Sequence, residues 1–311
     1  MAVVEVSELR KVYGGRAVVD GVSFAIEEGE IFGILGPNGA GKTTTVECIA
    51  GLRRPDGGTV RVAGLDPQRD GNEVRRRLGV QLQEAKLQGK LKVWEALDLH
   101  ASFHADPADP AELLDLLGLT DQRNTRFEKL SGGQKQRLSI ALALIGKPDV
   151  AVLDELTTGL DPKARRDTWA LIEQVRDTGV TILLVTHFME EAQRLCDRLA
   201  IIDQGRVVAL DSPAGLVSQV ADEQRLRFVP SVPLDDTLLT DLEEVTSVTR
   251  DGRHVVVSGR GEVVQAVVSV LARERIVAGE LRVEQQTLDD AFVSLTGRPL
   301  DPNEDPEEVA R

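Results

Sequence analysis

The stretch "IFGILGPNGAGKTTTVECIAG", from Ile31 to Gly51, limits the fold of this chain more than any other. An apolar run, a glycine-rich turn and a helical pattern follow one another without a gap, and the turn matches G-x-x-x-x-G-K-[ST] from Gly36 to Thr43. Such a turn joins a buried strand to the N-terminus of a helix, where free backbone N–H groups and the helix dipole favour an anion. Gly36, Gly39 and Gly41 let the backbone approach phosphate groups, with Asn38 and Thr44 in the same loop and helix start. Lys42 supplies positive charge to β- and γ-phosphates, and Thr43 offers a hydroxyl to Mg²⁺.

The rest of the first two thirds agrees with that start. "EIFGILG", "GTVRVAG", "RLGVQLQ", "DVAVLDE", "GVTILLVTH" and "DRLAIID" are each followed by turn residues or a helical pattern, the rhythm of an α/β sheet. "VAVLD" and "TILLVT" are apolar without alternation, as expected of central strands covered on both faces. In "GLDPKARRDTWALIEQVRDTG", Asp161 can cap a helix that Pro162 begins, and Trp169, Ile172 and Val175 form its apolar stripe. Residues 93–146 read as helical, with breaks around "ADPADP" and "NTRFEKLSGG". After about residue 221 the pattern becomes βαββαβ, a ferredoxin-like candidate. "TLDDAFVSLTG" follows as an amphipathic helix, and the acidic, proline-bearing end is expected to be disordered. The expected organisation is an α/β P-loop NTPase core over 1–220 with a helical subdomain at about 84–148, a small α+β domain over 221–299 and a tail over 300–311.

Two further constellations carry chemistry. The strand "VAVLD" delivers Asp154 and Glu155 at its C-terminal end, beside the place where the P-loop should lie. Asp154 can hold a Mg²⁺ shell, and Glu155 can orient and polarise an attacking water. The second is "KLSGGQKQRL", which resembles another anion site at a helix start. Ser131 and Gln134 satisfy a capping box, which is enough to explain those two residues. Gly132 and Gly133 weaken helix initiation and open the backbone to close approach, which capping does not require. One nucleotide needs only one grip, so the presence of two is a question for the whole molecule.

Composition removes several classes of function. At 311 residues and 33.8 kDa, with 41% hydrophobic residues, the chain can fill the core of more than one domain. No apolar run approaches the ~18 residues of a membrane span, and no basic segment followed by an apolar one marks an export signal. A net charge of −14 argues against electrostatic capture of nucleic acid or anionic lipid, and 3% aromatic residues leave little for base stacking. Cys48 and Cys196 lie in apolar helical patterns and read as core thiols. His100 and His104 have i, i+4 spacing without an evident third ligand, and read as residues of a helix surface.

Taken in order, "GPNGAGKTT", "LSGGQKQR", "VAVLDE", "GLD" and "LLVTHF" give the chain a resemblance to the ATP-binding subunits of ABC transporters, over nearly all of residues 1–219. That resemblance implies ATP and Mg²⁺ as ligands, hydrolysis as the activity, and a homodimer in the ATP-bound state. It also implies an integral-membrane permease on a separate chain, no direct nucleic-acid partner, and a peripheral location at the cytoplasmic face of the membrane. In the family two subunits sit head to tail, so Ser131, Gly132, Gly133 and Gln134 would close over ATP held by the other copy, with Asp161 across the interface. Tyr13 resembles the aromatic that stacks on adenine. Gln83, with Gln81 as a nearby competitor, resembles the glutamine that touches Mg²⁺ or water, and His187 the switch histidine that contacts the γ-phosphate. The family usually has proline where this chain has Leu156; leucine frees φ and restores a backbone donor, for which a modest effect on turnover is expected.

"TLDDAFVSLTGRPL" further resembles the tail of daunorubicin-resistance-type subunits of ABC-2 exporters. Two other functions fit the nucleotide motifs: a non-membrane ABC ATPase in translation or DNA maintenance, and an ATP-gated regulator acting by sequestration. One motif set, an acidic balance and the lack of a long coiled-coil insertion weigh against the first. A turnover assay separates the second.

Overall fold

A computed structural model of the chain describes residues 1–81, 87–220, 224–284 and 286–300. The chain divides into two compact units, Met1–Pro213 and Ala214–Arg311. In the first, the elements run β1 (Ala2–Tyr13), β2 (Arg16–Glu27), β3 (Ile31–Leu35), α1 (Lys42–Ile49), β4 (Gly57–Val62), α2 (Gly71–Arg77) and β5 (Leu78–Gln81). They continue with α3 (Val93–Ala101), α4 (Pro110–Leu116), α5 (Gly132–Leu144), β6 (Val150–Asp154), α6 (Pro162–Asp177), β7 (Thr181–Thr186), α7 (Met189–Leu195), β8 (Arg198–Asp203) and β9 (Arg206–Asp211).

Among the described residues these strands form two sheets. In the larger, the order is β5-β6-β7-β3-β8-β9, parallel except that β9 runs antiparallel to β8 at the edge. Every residue of β3, β6 and β7 is buried, which is why their sequences are apolar without alternation. The smaller sheet, β2-β1-β4, is antiparallel. "GTVRV" belongs to it, not to the parallel sheet that its place in the α/β rhythm suggests. Val60 and Val62 are buried while Thr59 and Arg61 are exposed, the alternation of a sheet covered on one side. Val4, Val6, Val22, Phe24 and Ile26 from this sheet share one core with Phe32, Ile34, Val46, Val152 and Leu183.

The helical region holds α3, α4 and α5, with two short 3₁₀ turns, Thr120–Gln122 and Phe127–Lys129, between α4 and α5. His104 lies beyond the end of α3, and its ring packs against Gly146 so closely that a side chain there would collide with it. The pair is therefore not displayed on one helix surface. Cys48 and Cys196 are buried, and burial pushes the Cys48 thiol up to about 11.

α8 (Pro213–Val220) begins at the division between the units. The second unit then runs β10 (Gln224–Pro230), α9 (Thr237–Thr240), β11 (Val245–Asp251), β12 (His254–Gly259), α10 (Val263–Arg273), β13 (Ala278–Glu284) and α11 (Leu288–Thr296). Its sheet has the order β11-β12-β10-β13 and is antiparallel throughout, the ferredoxin-like arrangement of a βαββαβ chain. Leu226, Phe228, Val255 and Val257 from the sheet pack on Val263, Val267, Val270 and Leu271 of α10. The helix expected near "LDDTLLTDL" is a single turn, α9. α11 opens with a capping box between Thr287 and Asp290 and buries Leu288, Ala291 and Phe292.

Candidate nucleotide site

Three adjacent strands of the parallel sheet, β6, β7 and β3, end at the same level, because Leu35 pairs with Thr186 and Asp154 with Val185. The turn beginning at Gly36, the carboxylates Asp154 and Glu155, and His187 therefore emerge together. This is the carboxyl end of the strands, where ligands bind in open α/β sheets.

The turn is fixed by what glycine leaves out. A Cβ at Gly36 would collide with the carbonyl oxygen of Ile202, and one at Gly41, which has φ 102°, would lie 2.6 Å from the carbonyl oxygen of Val18. Gly41 is also the N-cap of α1 and offers no side-chain acceptor to the first N–H groups of the helix. Lys42 is buried, and its Nζ donates to the carbonyl oxygens of Gly36 at 2.7 Å and Pro37 at 3.2 Å. Burial lowers its pKa, opposed by the charges of Glu155 and Asp154.

Asp154 is fully buried, and neither carboxylate oxygen has a hydrogen-bond partner among the described residues. Burial, then the neighbouring Glu155 charge, pushes its carboxyl up to about 6, with Lys42 acting in the other direction. The backbone N–H of Asp154 donates to Oε1 of Gln81 at 3.2 Å, so Gln81 has a structural partner. Glu155 donates its N–H to Val185 O at 2.9 Å and is held at φ 48°, a left-handed conformation uncommon outside glycine. Its Oε1 lies 3.4 Å from Nδ1 of His187.

A cleft of about 550 Å³ is lined by Val18, Asn38, Gly39, Gly41, Lys42, Thr43, Thr44, Glu155, Thr158 and His187. Val18 and Thr158 carry no sequence signal of their own, although Thr158 closely follows Glu155. Tyr13 is half-exposed at the end of β1, in the hairpin whose other strand carries Val18, with Lys11 Nζ 5.3 Å from its ring centre. A larger cavity of about 910 Å³ lies at the other end of the strands, against Val3, Leu113 and Pro148, and none of the motif residues line it.

Ser131, Gly132, Gly133, Gln134 and Asp161 do not line the nucleotide cleft of their own chain. Ser131 and Gln134 make the reciprocal capping box, Gln134 Oε1 accepting from Ser131 N at 2.9 Å. Asp161 caps α6, accepting from the N–H groups of Lys163 and Ala164 at 3.0 Å. The two loops are neighbours: a Cβ at Gly132 would sit 3.5 Å from Leu160 and one at Gly133 3.6 Å from Ala164. Gln83 lies outside the described residues.

The donors fit a nucleotide and its cation. Buried carboxylate oxygens without partners suit a hard divalent ion, and an uncapped helix start with a buried lysine suits phosphate.

Similarity to known proteins agrees with this geometry. A family model described as ABC transporter matches residues 19–158. The daunorubicin/doxorubicin resistance ATP-binding protein DrrA of Streptomyces peucetius is 38% identical over 309 residues, 96% of this chain and 93% of that protein. The linearmycin resistance ATP-binding protein LnrL of Bacillus subtilis is 31% identical over 95% of this chain and 99% of its own length. Among solved structures, cbiO1 from Clostridium perfringens, part of the transporter complex cbiONQ, superposes with a TM-score of 0.64 at 27% identity, covering 70% of this chain and 92% of that one. A dimeric ATP-binding cassette in a post-hydrolysis state with ADP and Pi gives 0.61 at 26% identity, covering 67% and 98%. With a P-loop, Glu155 and a histidine gathered at one cleft, and relatives matching over nearly the whole length, this chain belongs to the ABC transporter family as an ATP-binding, ATP-hydrolysing member.

Proposed function

We propose that the chain is the energising subunit of a membrane exporter. It hydrolyses MgATP at two sites, each composed from two copies arranged head to tail, and passes the closing motion to a permease on a separate chain at the cytoplasmic face. Residues 1–220 act as the ATPase, and residues 221–299 as an accessory domain.

The observation that carries this reading is the separation of the two phosphate grips. Lys42, Glu155 and His187 share a cleft that Ser131, Gly132, Gly133 and Gln134 of the same chain do not line. A second copy, turned head to tail, would bring its own Ser131–Gln134 loop over the γ-phosphate and its Asp161 to the interface. ATP then favours the closed pair, and hydrolysis releases it. Within one cleft, Tyr13 would stack on adenine, and the backbone at Gly36, Asn38, Gly39 and Gly41, with Lys42 and Thr44, would hold the phosphates. Thr43, Asp154 and Gln83 would hold Mg²⁺, which neutralises charge on the phosphate oxygens. Glu155 would take the proton of the attacking water, and His187 would contact the γ-phosphate beside it.

Export as the direction is supported by the similarity to the two resistance proteins, which spans both units of this chain. Their names point to antibiotic-like cargo. Among the described residues, no helix is long and apolar enough to cross a membrane, so a separate permease is required by this reading. The test is purification of tagged Glu155→Gln protein from detergent-solubilised cells of the source organism, followed by mass spectrometry. A stoichiometric multi-spanning membrane protein is expected. Ribosomes or nucleic-acid machinery in its place would overturn the exporter reading.

A further inference from the structure

Glu191, on α7, is fully buried and takes no part in the chemistry described above. Its Oε1 accepts two hydrogen bonds, from Thr157 Oγ1 and from Trp169 Nε1, each at 2.9 Å. Its Oε2 is also buried, with no hydrogen-bond partner among the described residues. A carboxylate taken out of water at this depth is costly, and an apolar side chain would fill the space without that cost.

The three residues come from three parts of the site. Thr157, itself fully buried, lies in the loop between Glu155 and Asp161. Trp169 is on α6, the helix that Asp161 caps, and Glu191 is on the helix that starts just after His187. A second contact joins the same pieces: the Arg165 guanidinium of α6 lies 4.2 Å from the ring centre of Phe188, whose ring is 4.1 Å from that of His187 and tilted 41° to it.

The loop has reason to need an external anchor. Glu155 sits in a left-handed conformation that a non-glycine residue keeps only when its surroundings over-determine it. Leu156 gives the next position none of the φ restriction of proline. The Leu156 side chain is fully buried, but directional contacts begin one residue later: the buried hydroxyl of Thr157 makes the first side-chain hydrogen bond after it, and its partner is Glu191.

We propose that Glu191 is a positioning residue for hydrolysis: its carboxylate ties the 155–161 loop to α6 and α7, holding Glu155 in place against His187. The inference rests on the reading of Glu155 as the base for water. It concerns a residue that is fully buried and does not line the cleft.

The test compares Glu191→Leu, Glu191→Gln and Thr157→Val in the full-length chain, by ATP affinity, kcat and KM. Removing the acceptor with leucine is expected to lower kcat roughly 10- to 100-fold, because a small displacement of a catalytic group has that effect, while ATP affinity changes less than about twofold. Glutamine keeps an acceptor oxygen in the same place and should hold kcat within about threefold of wild type. Thr157→Val should lower kcat in the same direction. Combined with Glu191→Leu it should add little, since the leucine has already removed the Thr157 contact together with that of Trp169. If the leucine variant does not fold, Thr157→Val with Glu191→Gln decides. Wild-type kcat in the folded leucine and valine variants, with Glu155→Gln inactive, would overturn the positioning role alone. A Glu155→Gln variant that turns over normally would overturn the catalytic reading and this inference with it.

Discussion

Glu155→Gln is expected to bind ATP with wild-type affinity and to hydrolyse it roughly a thousandfold more slowly, the range for loss of a positioned general base. The substitution changes little else. Glutamine has the same shape, the backbone N–H bond to Val185 O remains, and the cleft keeps Lys42, Thr43 and His187. The separation between Glu155 and His187 is 3.4 Å, so an amide there can still touch the histidine but cannot take a proton from water. If composite sites form, the variant should also stall as an ATP-bound dimer, seen as an ATP-dependent shift in sedimentation. Phosphate release and nucleotide affinity measured side by side check the prediction. Turnover near the wild-type rate would remove Glu155 from the mechanism, and loss of ATP binding would make it a structural or binding group instead.

Asp154→Asn is expected to act in opposite directions on stability and activity. Without nucleotide Asp154 is a buried carboxylate with no donor among the described residues, and its pKa is raised from 3.8 to about 6 by burial and by Glu155. The folded state therefore binds more protons than the unfolded state between those values. This contribution to stability is fully present below pH 3.8 and is lost as pH rises through about 6. At neutral pH the charged carboxylate destabilises the folded chain by on the order of 2 kcal/mol, and the neutral amide removes most of that cost. Lys42 still has Glu155 and two backbone carbonyls as partners in the variant. A melting temperature higher by several degrees follows for the nucleotide-free variant at pH 7.5, with the difference from wild type closing as pH falls toward 4. Activity should fall at least about 100-fold, because the charge that would hold Mg²⁺ is gone. Calorimetry without nucleotide across that pH range, beside an ATPase assay, checks both halves. A less stable, equally active variant would show that the Asp154 charge neither destabilises the fold nor serves hydrolysis.

The order in which the motifs occur in the chain and the level at which they occur in the sheet are separate facts. The P-loop turn, the "VAVLD" strand and the helix capped by Asp161 each depend on neighbours a few residues apart. Their glycines, apolar runs and caps could be read directly. The βαββαβ rhythm of the C-terminal unit was legible for the same reason, and the antiparallel sheet has the corresponding strand order. "GTVRV" shows the limit of that reading. Its alternation marks a strand covered on one face, but its pairing with β1 rather than with the parallel sheet depends on residues some fifty positions away.

His104 fails in the same way, since spacing alone placed it on a helix that ends before it. Glu191 is the clearest case of what sequence hides. In "MEEAQRL" it reads as one more acidic residue in a first helical turn, where carboxylates are common and usually solvated. Only packing puts it, fully buried, between Thr157 and Trp169.

The glycine-rich turn, the paired carboxylates, the alternation of strand and helix, and the family could all be read from the sequence. All of these are written in local backbone preference and short-range periodicity. Only the folded chain shows that Asp154 is buried without a hydrogen-bond partner among the described residues, that the Ser131–Gln134 loop does not line the cleft of its own chain, and that a buried carboxylate accepts from Thr157 in the loop after Glu155. Those are properties of side chains far apart in sequence, brought together when the apolar faces of strands and helices are removed from water, and no local preference specifies them.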